Sequence, residues 1–297
     1  VVFEVLADKN EFIWYSHRSG WGHLYRYNLT TGELINPMTA GDFAVTHIHS
    51  IDEHRNRLYF TACGREPDRD PYYEHLYRVN LDGSELVLLT PEASQHDIIK
   101  RTPIASEIDG LTPIAADVCG ISPNGKVFIE TQSRVDQPAR SLLRSTVDGA
   151  ELMTLSQCDV TPLTKTPFIT PQVFTAKAAD GTTDLWGVLY RPSDFDKSKS
   201  YPVILAIYAT PATCTTSKRF AEIKTGHPYF TLAELGFIVV ILDPRGTPLR
   251  SKAFHDEAYG NLQNGGGIDD QVAAIKQLGE RHTWMDLDRV GVTGHSG

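Results

Sequence analysis

The chain has 297 residues, of which 41% are hydrophobic and 22% are charged, and its formal net charge at pH 7 is −9. This composition is ordinary for a globular protein of about two domains, and the acidic balance without a block of Lys or Arg argues against a nucleic-acid-binding role. The longest apolar runs, such as GFIVVIL, are far shorter than the roughly 18 residues of a membrane-spanning helix. The four cysteines match no metal or redox motif and are interpreted as free buried thiols. No metal and no cofactor are expected.

An internal repeat occupies the N-terminal half. The segments HLYRYNLTTGELI, HLYRVNLDGSELVLLT and SLLRSTVDGAELMTL align at Arg26, Arg78 and Arg144, and each predicts a pair of short strands around a turn. A further strand precedes each pair, and the extended segments VTHIHSID and ADVCGIS raise the second and third units to four strands. Such units are typical of propeller blades, of which about three are expected. A β-sandwich with chance similarity is the alternative, and SQHDIIKRTPIASEIDGLTPI is interpreted as an inserted loop or blade extension.

The pattern changes near Thr166. A hairpin turned by Asp180-Gly181 is followed by two continuous apolar runs, YPVILAIY and GFIVVILD, which are typical of strands buried on both faces. Helices are predicted for YFTLAELG, which ends at Gly236, and for IDDQVAAIKQL. The second helix carries one predicted apolar face, made of Ile268, Val272, Ile275 and Gly279. Strands that alternate with helices indicate an open α/β sheet with parallel strands.

The last residues carry the strongest chemical signal. Gly294-His295-Ser296-Gly297 supplies four of the five positions of G-x-S-x-G, the strand-turn-helix motif that presents a nucleophilic serine. A second G-x-S, at residues 120–122, runs into Pro-Asn-Gly and is interpreted as a turn between strands. Only Ser296 follows a helix and then an apolar strand, which favours the nucleophile interpretation over a plain surface turn.

The motifs DPRGTPLRSKAFHDEAYGNL, DDQVAAIKQL, MDLDRVGVTGHSG and YPVILAIYATP together resemble the prolyl oligopeptidase family of serine peptidases, in its dipeptidyl-peptidase IV-like branch. The stretch FIWYSHRSGWGHLYRYNL is similar to that branch as well, whereas residues 91–115 depart from it. The resemblance implies a partial β-propeller at 1–165, followed at 166–297 by the N-terminal half of an α/β-hydrolase domain. It also implies that the propeller limits access to peptide-sized substrates.

Transferred onto this sequence, the resemblance makes Ser296 the nucleophile, with the Gly297 N–H and the Tyr208 hydroxyl as oxyanion donors. Tyr208 also ends the third strand of the predicted hydrolase sheet, where such folds draw their second donor. The sequence departs from the family pattern at two positions. Thr210 stands where the family more often has Gly, and Gly297 stands where it often has Tyr.

Other histidines are interpreted as non-catalytic. His295 is expected to be a spacer in the turn, and His255-Asp256 a surface segment rather than a base with its orienting acid. In α/β-hydrolases the triad runs Ser, then Asp or Glu, then His, so both partners of Ser296 are expected beyond residue 297. We therefore expect the chain to be a portion of a longer protein, inactive by itself.

The parent protein is expected to be a serine peptidase that hydrolyses short peptides, and cleavage after proline or alanine is one specificity considered for it. An esterase on the same scaffold and a non-catalytic propeller binding module remain as alternatives. A pair of adjacent glutamates, with which dipeptidyl members hold the substrate amine, does not occur in the sequence. The expected partner is a peptide substrate; a homodimer of the parent, its compartment and the choice between exo- and endopeptidase action stay open.

Overall fold

The computed structural model describes residues 3–98, 120–208, 211–220, 228–261 and 267–294. The chain divides into two compact units. One comprises Val1–Ser133 and Ala139–Gln157, and the other comprises Arg134–Pro138 and Cys158–Gly297. Among the residues described, no helix has both the length and the apolar character needed to cross a membrane.

The first unit contains three four-stranded sheets whose strands are hydrogen-bonded in chain order. The first sheet consists of β1 (Phe3–Leu6), β2 (Glu11–Ser16), β3 (His23–Asn28) and β4 (Leu34–Pro37). The second consists of β5 (Ala44–Asp52), β6 (Arg57–Cys63), β7 (Glu74–Asn80) and β8 (Val87–Leu88). The third consists of β9 (Gln95–Ile98), β10 (Val127–Arg134), β11 (Gln137–Ser145) and β12 (Glu151–Gln157). Four-stranded meanders of this kind are propeller blades, so the predicted partial β-propeller is confirmed.

A residue with positive φ lies just before the second strand of each sheet. Asn10, Asn56 and Gly125 stand just before the second strand with positive φ values of 53°, 53° and 65°. Asn and Gly are the residues that adopt this conformation most readily, so the repeat extends to turn chemistry that the sequence alignment did not use.

The third sheet differs from the sequence prediction at its first strand. Gln95–Ile98, which lie in the segment interpreted as an inserted loop, form β9 and pair antiparallel with β10. The segment ADVCGIS was predicted to be that strand, but residues 116–119 lie outside the described part of the chain. Ile121 makes only an isolated bridge to Phe128.

The second unit is built on a five-stranded sheet in the order β13-β14-β16-β15-β17. The strands are β13 (Gln172–Lys177), β14 (Asp184–Tyr190), β15 (Tyr201–Ile207), β16 (Ile238–Asp243) and β17 (Met285–Gly294). The helices are α1 (Tyr229–Glu234), α2 (Lys252–Asp256) and α3 (Ile268–Arg281). β15 pairs in parallel with both β16 and β17, whereas β13 and β14 form the predicted antiparallel hairpin. This is the first half of an α/β-hydrolase sheet, as predicted.

The central strand β16 is buried on both faces because its side chains alternate between two cores. Ile238, Val240 and Leu242 pack on one face with the helix α3, and Val239 and Ile241 pack on the other with α1. The continuous apolar run GFIVVILD therefore has the two-sided burial that it predicts.

The buried face of α3 agrees with the sequence prediction at Ile275 but not at Ile268 and Val272. Its buried residues are Asp270, Gln271, Ala274, Ile275 and Leu278, whereas Ile268 and Val272 are exposed. The helix is rotated toward Asp270 and Gln271, because Asp270 accepts from the Arg245 N–H in the loop after β16 and Gln271 donates to the Leu242 carbonyl within β16. These polar contacts explain why the buried face includes Asp270 and Gln271 in place of Ile268 and Val272.

Candidate active site

The candidate site lies where parallel strands end at the carboxyl edge of the second unit's sheet. Strands β15 and β17 are paired so that Ile207 stands opposite Gly294. Tyr208 follows Ile207 directly, and Ser296 follows Gly294 by two residues. The pairing therefore brings Tyr208 and the root of the predicted nucleophile turn to the same edge, where ligands of open α/β sheets bind.

Gly294 is required at this position by the close approach of β15. A Cβ on Gly294 would stand 2.8 Å from the backbone oxygen of Ile207, closer than such atoms come in real structures. The expected role of this glycine in the turn thus has a specific steric reason. His295, Ser296 and Gly297 themselves, like Thr210, lie outside the described residues.

The segment after Tyr208 is anchored to the end of the neighbouring strand β16. Asp243, the last residue of β16, is fully buried, and its Oδ1 accepts hydrogen bonds from the Thr215 backbone N–H at 2.6 Å and from the Thr215 hydroxyl at 3.2 Å. The Thr216 N–H lies 3.3 Å from Oδ2. A buried carboxylate needs such donors, and here they come from the backbone of the segment 211–216.

Two further contacts join this segment to the stretch that follows β16. The Nε2 of His255 donates to the Pro211 carbonyl at 2.9 Å, and the Cys214 thiol donates to the Pro248 carbonyl at 3.4 Å. His255 is half-buried while Asp256 is exposed and pairs with Lys252. His255 therefore contacts the loop beside Tyr208, a role that nothing in the residue pattern indicated.

The loop after Asp243 is itself fixed by the first turn of α3. Arg245 donates from Nη2 to Asp270 Oδ1 at 2.9 Å, and its backbone N–H donates to Asp270 Oδ2 at 2.9 Å. Gly267 begins this helix with φ of 87°, and a Cβ there would stand 2.6 Å from Pro244. The hydrogen bond with Asp270 raises the pKa of Arg245, so the guanidinium stays charged.

A buried tyrosine adjoins the same strand end. Burial raises the pKa of Tyr229 above its usual range, and the charges of Tyr190 and Asp243 raise it further. The ring of Tyr229 packs 5.4 Å from that of Tyr190, whose hydroxyl donates to Ser217 at 3.2 Å. The Tyr229 phenol therefore stays neutral, and both rings belong to the core that packs on the α1 face of β16.

A separate cluster in the first unit combines metal-ligating groups. Atoms of Glu92, His96 and Glu130 lie within 4.8 Å of one another. Arg144 ion-pairs with both carboxylates, at 2.7 Å to Glu92, and His96 Nδ1 lies 2.5 Å from Glu130. A divalent ion would bring a second charge beside the buried guanidinium, so this cluster fits an ion-pair network better than a metal site.

Two family models match the chain, one mainly in the first unit and the other in the second. Residues 1–139 match the family model described as the dipeptidyl peptidase IV N-terminal region. Residues 224–297 match the model of the prolyl oligopeptidase family. The second match contains β16, the segment after it and the Ser296 motif.

The curated relatives and solved structures agree with these matches. The chain is 29% identical to dipeptidyl peptidase 8 of Homo sapiens over 96% of its length, and 27% identical to venom dipeptidyl peptidase 4 of Vespa velutina over 92%. It covers 32% of each of these proteins, so the chain spans about a third of the relatives that it matches.

Among solved structures, a putative dipeptidyl aminopeptidase IV from Bacteroides ovatus superposes with a TM-score of 0.77 at 24% identity, covering 98% of this chain and 40% of that one. Porphyromonas gingivalis dipeptidyl peptidase 4 superposes with a TM-score of 0.74 at 22% identity, covering 98% and 37%. These two likenesses concern the fold. The family models and the curated relatives bear on the family, because each of the two models matches one of the two units over at least half of its length. The two family models and the curated relatives support the prolyl oligopeptidase family, in its dipeptidyl peptidase IV-like branch, as the family of this chain.

Proposed function

We propose that the protein is a serine peptidase that removes dipeptides from the N-termini of short peptides, with residues 1–165 as propeller and 166–297 as part of the catalytic domain. The observation that carries this proposal is the pairing of Ile207 with Gly294, which puts Tyr208 beside the root of the Ser296 turn. The relatives are named dipeptidyl peptidases, which favours exopeptidase action.

In the proposed reaction, the Ser296 hydroxyl attacks the scissile carbonyl carbon and passes its proton to a histidine beyond residue 297. The carbonyl oxygen becomes an oxyanion that accepts hydrogen bonds from the Tyr208 hydroxyl and the Gly297 N–H. The histidine then gives its proton to the departing amine. Water hydrolyses the acyl-enzyme by the same steps and frees Ser296.

The test compares three substrate classes with the full-length protein. We expect hydrolysis of a dipeptidyl-proline or dipeptidyl-alanine anilide, loss of that hydrolysis when the substrate N-terminus is acetylated, and slower turnover of a simple ester. Equal hydrolysis of free and acetylated peptides would indicate an endopeptidase, and hydrolysis of the ester alone would indicate an esterase.

The two serines of the G-x-S motifs supply a matched pair of variants. Ser296→Ala should abolish hydrolysis because it removes the nucleophile. Ser122→Ala should preserve it, because the Ser122 hydroxyl stabilises a turn, in which it accepts from the Lys126 and Val127 N–H groups and donates to Asn124 Oδ1. Residual hydrolysis by the Ser296 variant at the level of the Ser122 variant would contradict the proposal.

A further inference from the structure

We propose that Asp243 and His255 are positioning residues that hold the Tyr208 hydroxyl in place by clamping the segment 211–216. The inference rests on the proposed function, because it concerns how the second oxyanion donor is kept at the sheet edge. It is independent of which peptides are cleaved.

The two residues that hold the segment belong to regular secondary structure. Asp243 is part of the sheet, since its Cα is paired with that of Trp186 in β14, and it belongs to the strand adjacent to β15. His255 lies on α2, which begins at Ser251 with a side-chain cap to the Phe254 N–H. Both residues are thus fixed independently of the loop that they contact.

The segment that is held starts three residues after Tyr208. Asp243 accepts from the backbone of Thr215 and Thr216, and His255 donates to the Pro211 carbonyl. These bonds attach the segment near both of its ends. A loop fixed in this way cannot lift away without leaving a buried carboxylate short of donors, which is costly.

The consequence concerns the transition state. An oxyanion donor stabilises the transition state only when its hydroxyl is already positioned toward the developing charge. A displacement of about 1 Å can lower the rate by about 10²-fold. In the proposed arrangement, Asp243 contacts Thr215 and Thr216 and not the reacting atoms. Its removal should therefore act on kcat through Tyr208, and the loss should not exceed the loss caused by removing the Tyr208 hydroxyl.

The experiment is a double-mutant cycle in the full-length protein with a dipeptidyl anilide as substrate. Tyr208→Phe alone should lower kcat by about 10²–10³-fold, the usual effect of one oxyanion donor. Asp243→Ala alone should lower kcat by up to about 10²-fold with KM nearly unchanged. In the Tyr208→Phe background, Asp243→Ala should cause little further loss.

Conservative variants keep the test decisive if Asp243→Ala does not fold. Asp243→Asn keeps an oxygen that can accept from Thr215 and should recover most of the lost kcat. His255→Ala, which removes one bond, should lower kcat less than Asp243→Ala and should also lose its effect in the Tyr208→Phe background. Asp196→Asn is the matched control, since Asp196 accepts from the Ser198 N–H in an exposed turn before β15, and it should leave kcat unchanged.

The outcomes separate this inference from the proposed function. The clamp would be overturned if the double variants lost kcat by the product of the two single-variant factors, because the residues would then act independently. An unchanged kcat in Tyr208→Phe would also overturn it. Either result leaves the peptidase proposal standing as long as Ser296→Ala is inactive. Activity in Ser296→Ala would instead overturn the proposed function.

Discussion

At the scale of single residues, the geometry of the site depends on which atoms two adjacent strands allow to approach. Gly294 faces the backbone oxygen of Ile207, and no side chain fits between them. The G-x-S motif predicted a glycine-dependent turn, but the strand pairing shows that the first glycine is also required for β17 to pair with β15.

This contact predicts the effect of Gly294→Ala. The new Cβ would meet a backbone atom that cannot rotate away, so the end of β17 must shift and carry Ser296 with it. We expect kcat for dipeptide release to fall by about 10²-fold, as measured by steady-state kinetics on the full-length protein.

Gly291→Ala is the control, because a Cβ there meets only the flexible Cδ1 of Ile204, at 2.9 Å. It should retain most of the activity. Equal activity of the two variants would mean that the strand contact does not position the nucleophile.

At the scale of elements, the sequence predicted the five strands of the second unit and its helices α1 and α3, because most of these segments carry apolar runs bounded by turn residues. The short helix α2 was not predicted. The sequence prediction failed where tertiary contacts decide. The face of α3 is set by Asp270 and Gln271, whose partners are distant in sequence. Strand β9 was not predicted, because QHDI has little strand propensity by itself. It forms a strand by pairing with β10, which is distant in sequence. The clamp on the segment 211–216 was invisible for the same reason.

The β13–β14 hairpin offers a stability prediction. A Cβ on Gly187 would stand 2.3 Å from the ring of Phe174 and 2.6 Å from the backbone oxygen of Ile241. Gly187→Ala should therefore destabilise the second unit by at least about 1–3 kcal/mol, the usual effect of overpacking. Thermal unfolding should show a lower Tm than for Gly291→Ala, and an equal Tm would refute the close packing described here.

At the scale of the whole molecule, a buried histidine is expected to make the stability of the first unit depend on pH. Burial, aided by the neighbouring His96, lowers the pKa of His75 to about 4, and its Nδ1 donates to the Thr90 carbonyl at 2.7 Å. The unfolded chain binds this proton near the ordinary value of about 6.5. The unfolded state therefore holds more protons between these two values, and the first unit should lose stability as the pH falls from about 6.5 to 4.

The loss reaches on the order of 3 kcal/mol at the acid end. His75→Asn, whose amide can still donate to Thr90, should show a shallower decline of Tm over this range, whereas the exposed His54→Asn should follow the unsubstituted protein. A parallel decline in all three proteins would exclude His75 as the cause.

The arginine that recurs in the repeat of the first unit makes equivalent contacts in two of the three sheets. The propeller was recognisable because Arg26 and Arg78 recur at one position, and in the structure the two side chains make equivalent contacts. Each donates from Nη1 to a carbonyl of the next sheet's segment, at Leu81 for Arg26 and at Thr146 for Arg78. Arg144 instead serves the buried network with Glu130. No alignment could have separated the third arginine from the other two, because the difference lies in its partners.

The central claim is that Ser296 is an activated nucleophile at the sheet edge beside Tyr208. The most direct measurement is covalent labelling of the full-length protein with a fluorophosphonate probe, with the modified residue mapped by mass spectrometry. We expect a single adduct on Ser296 that is lost when the protein is denatured before labelling and absent in Ser296→Ala. An adduct on a different serine, or none while the protein hydrolyses dipeptidyl substrates, would contradict it.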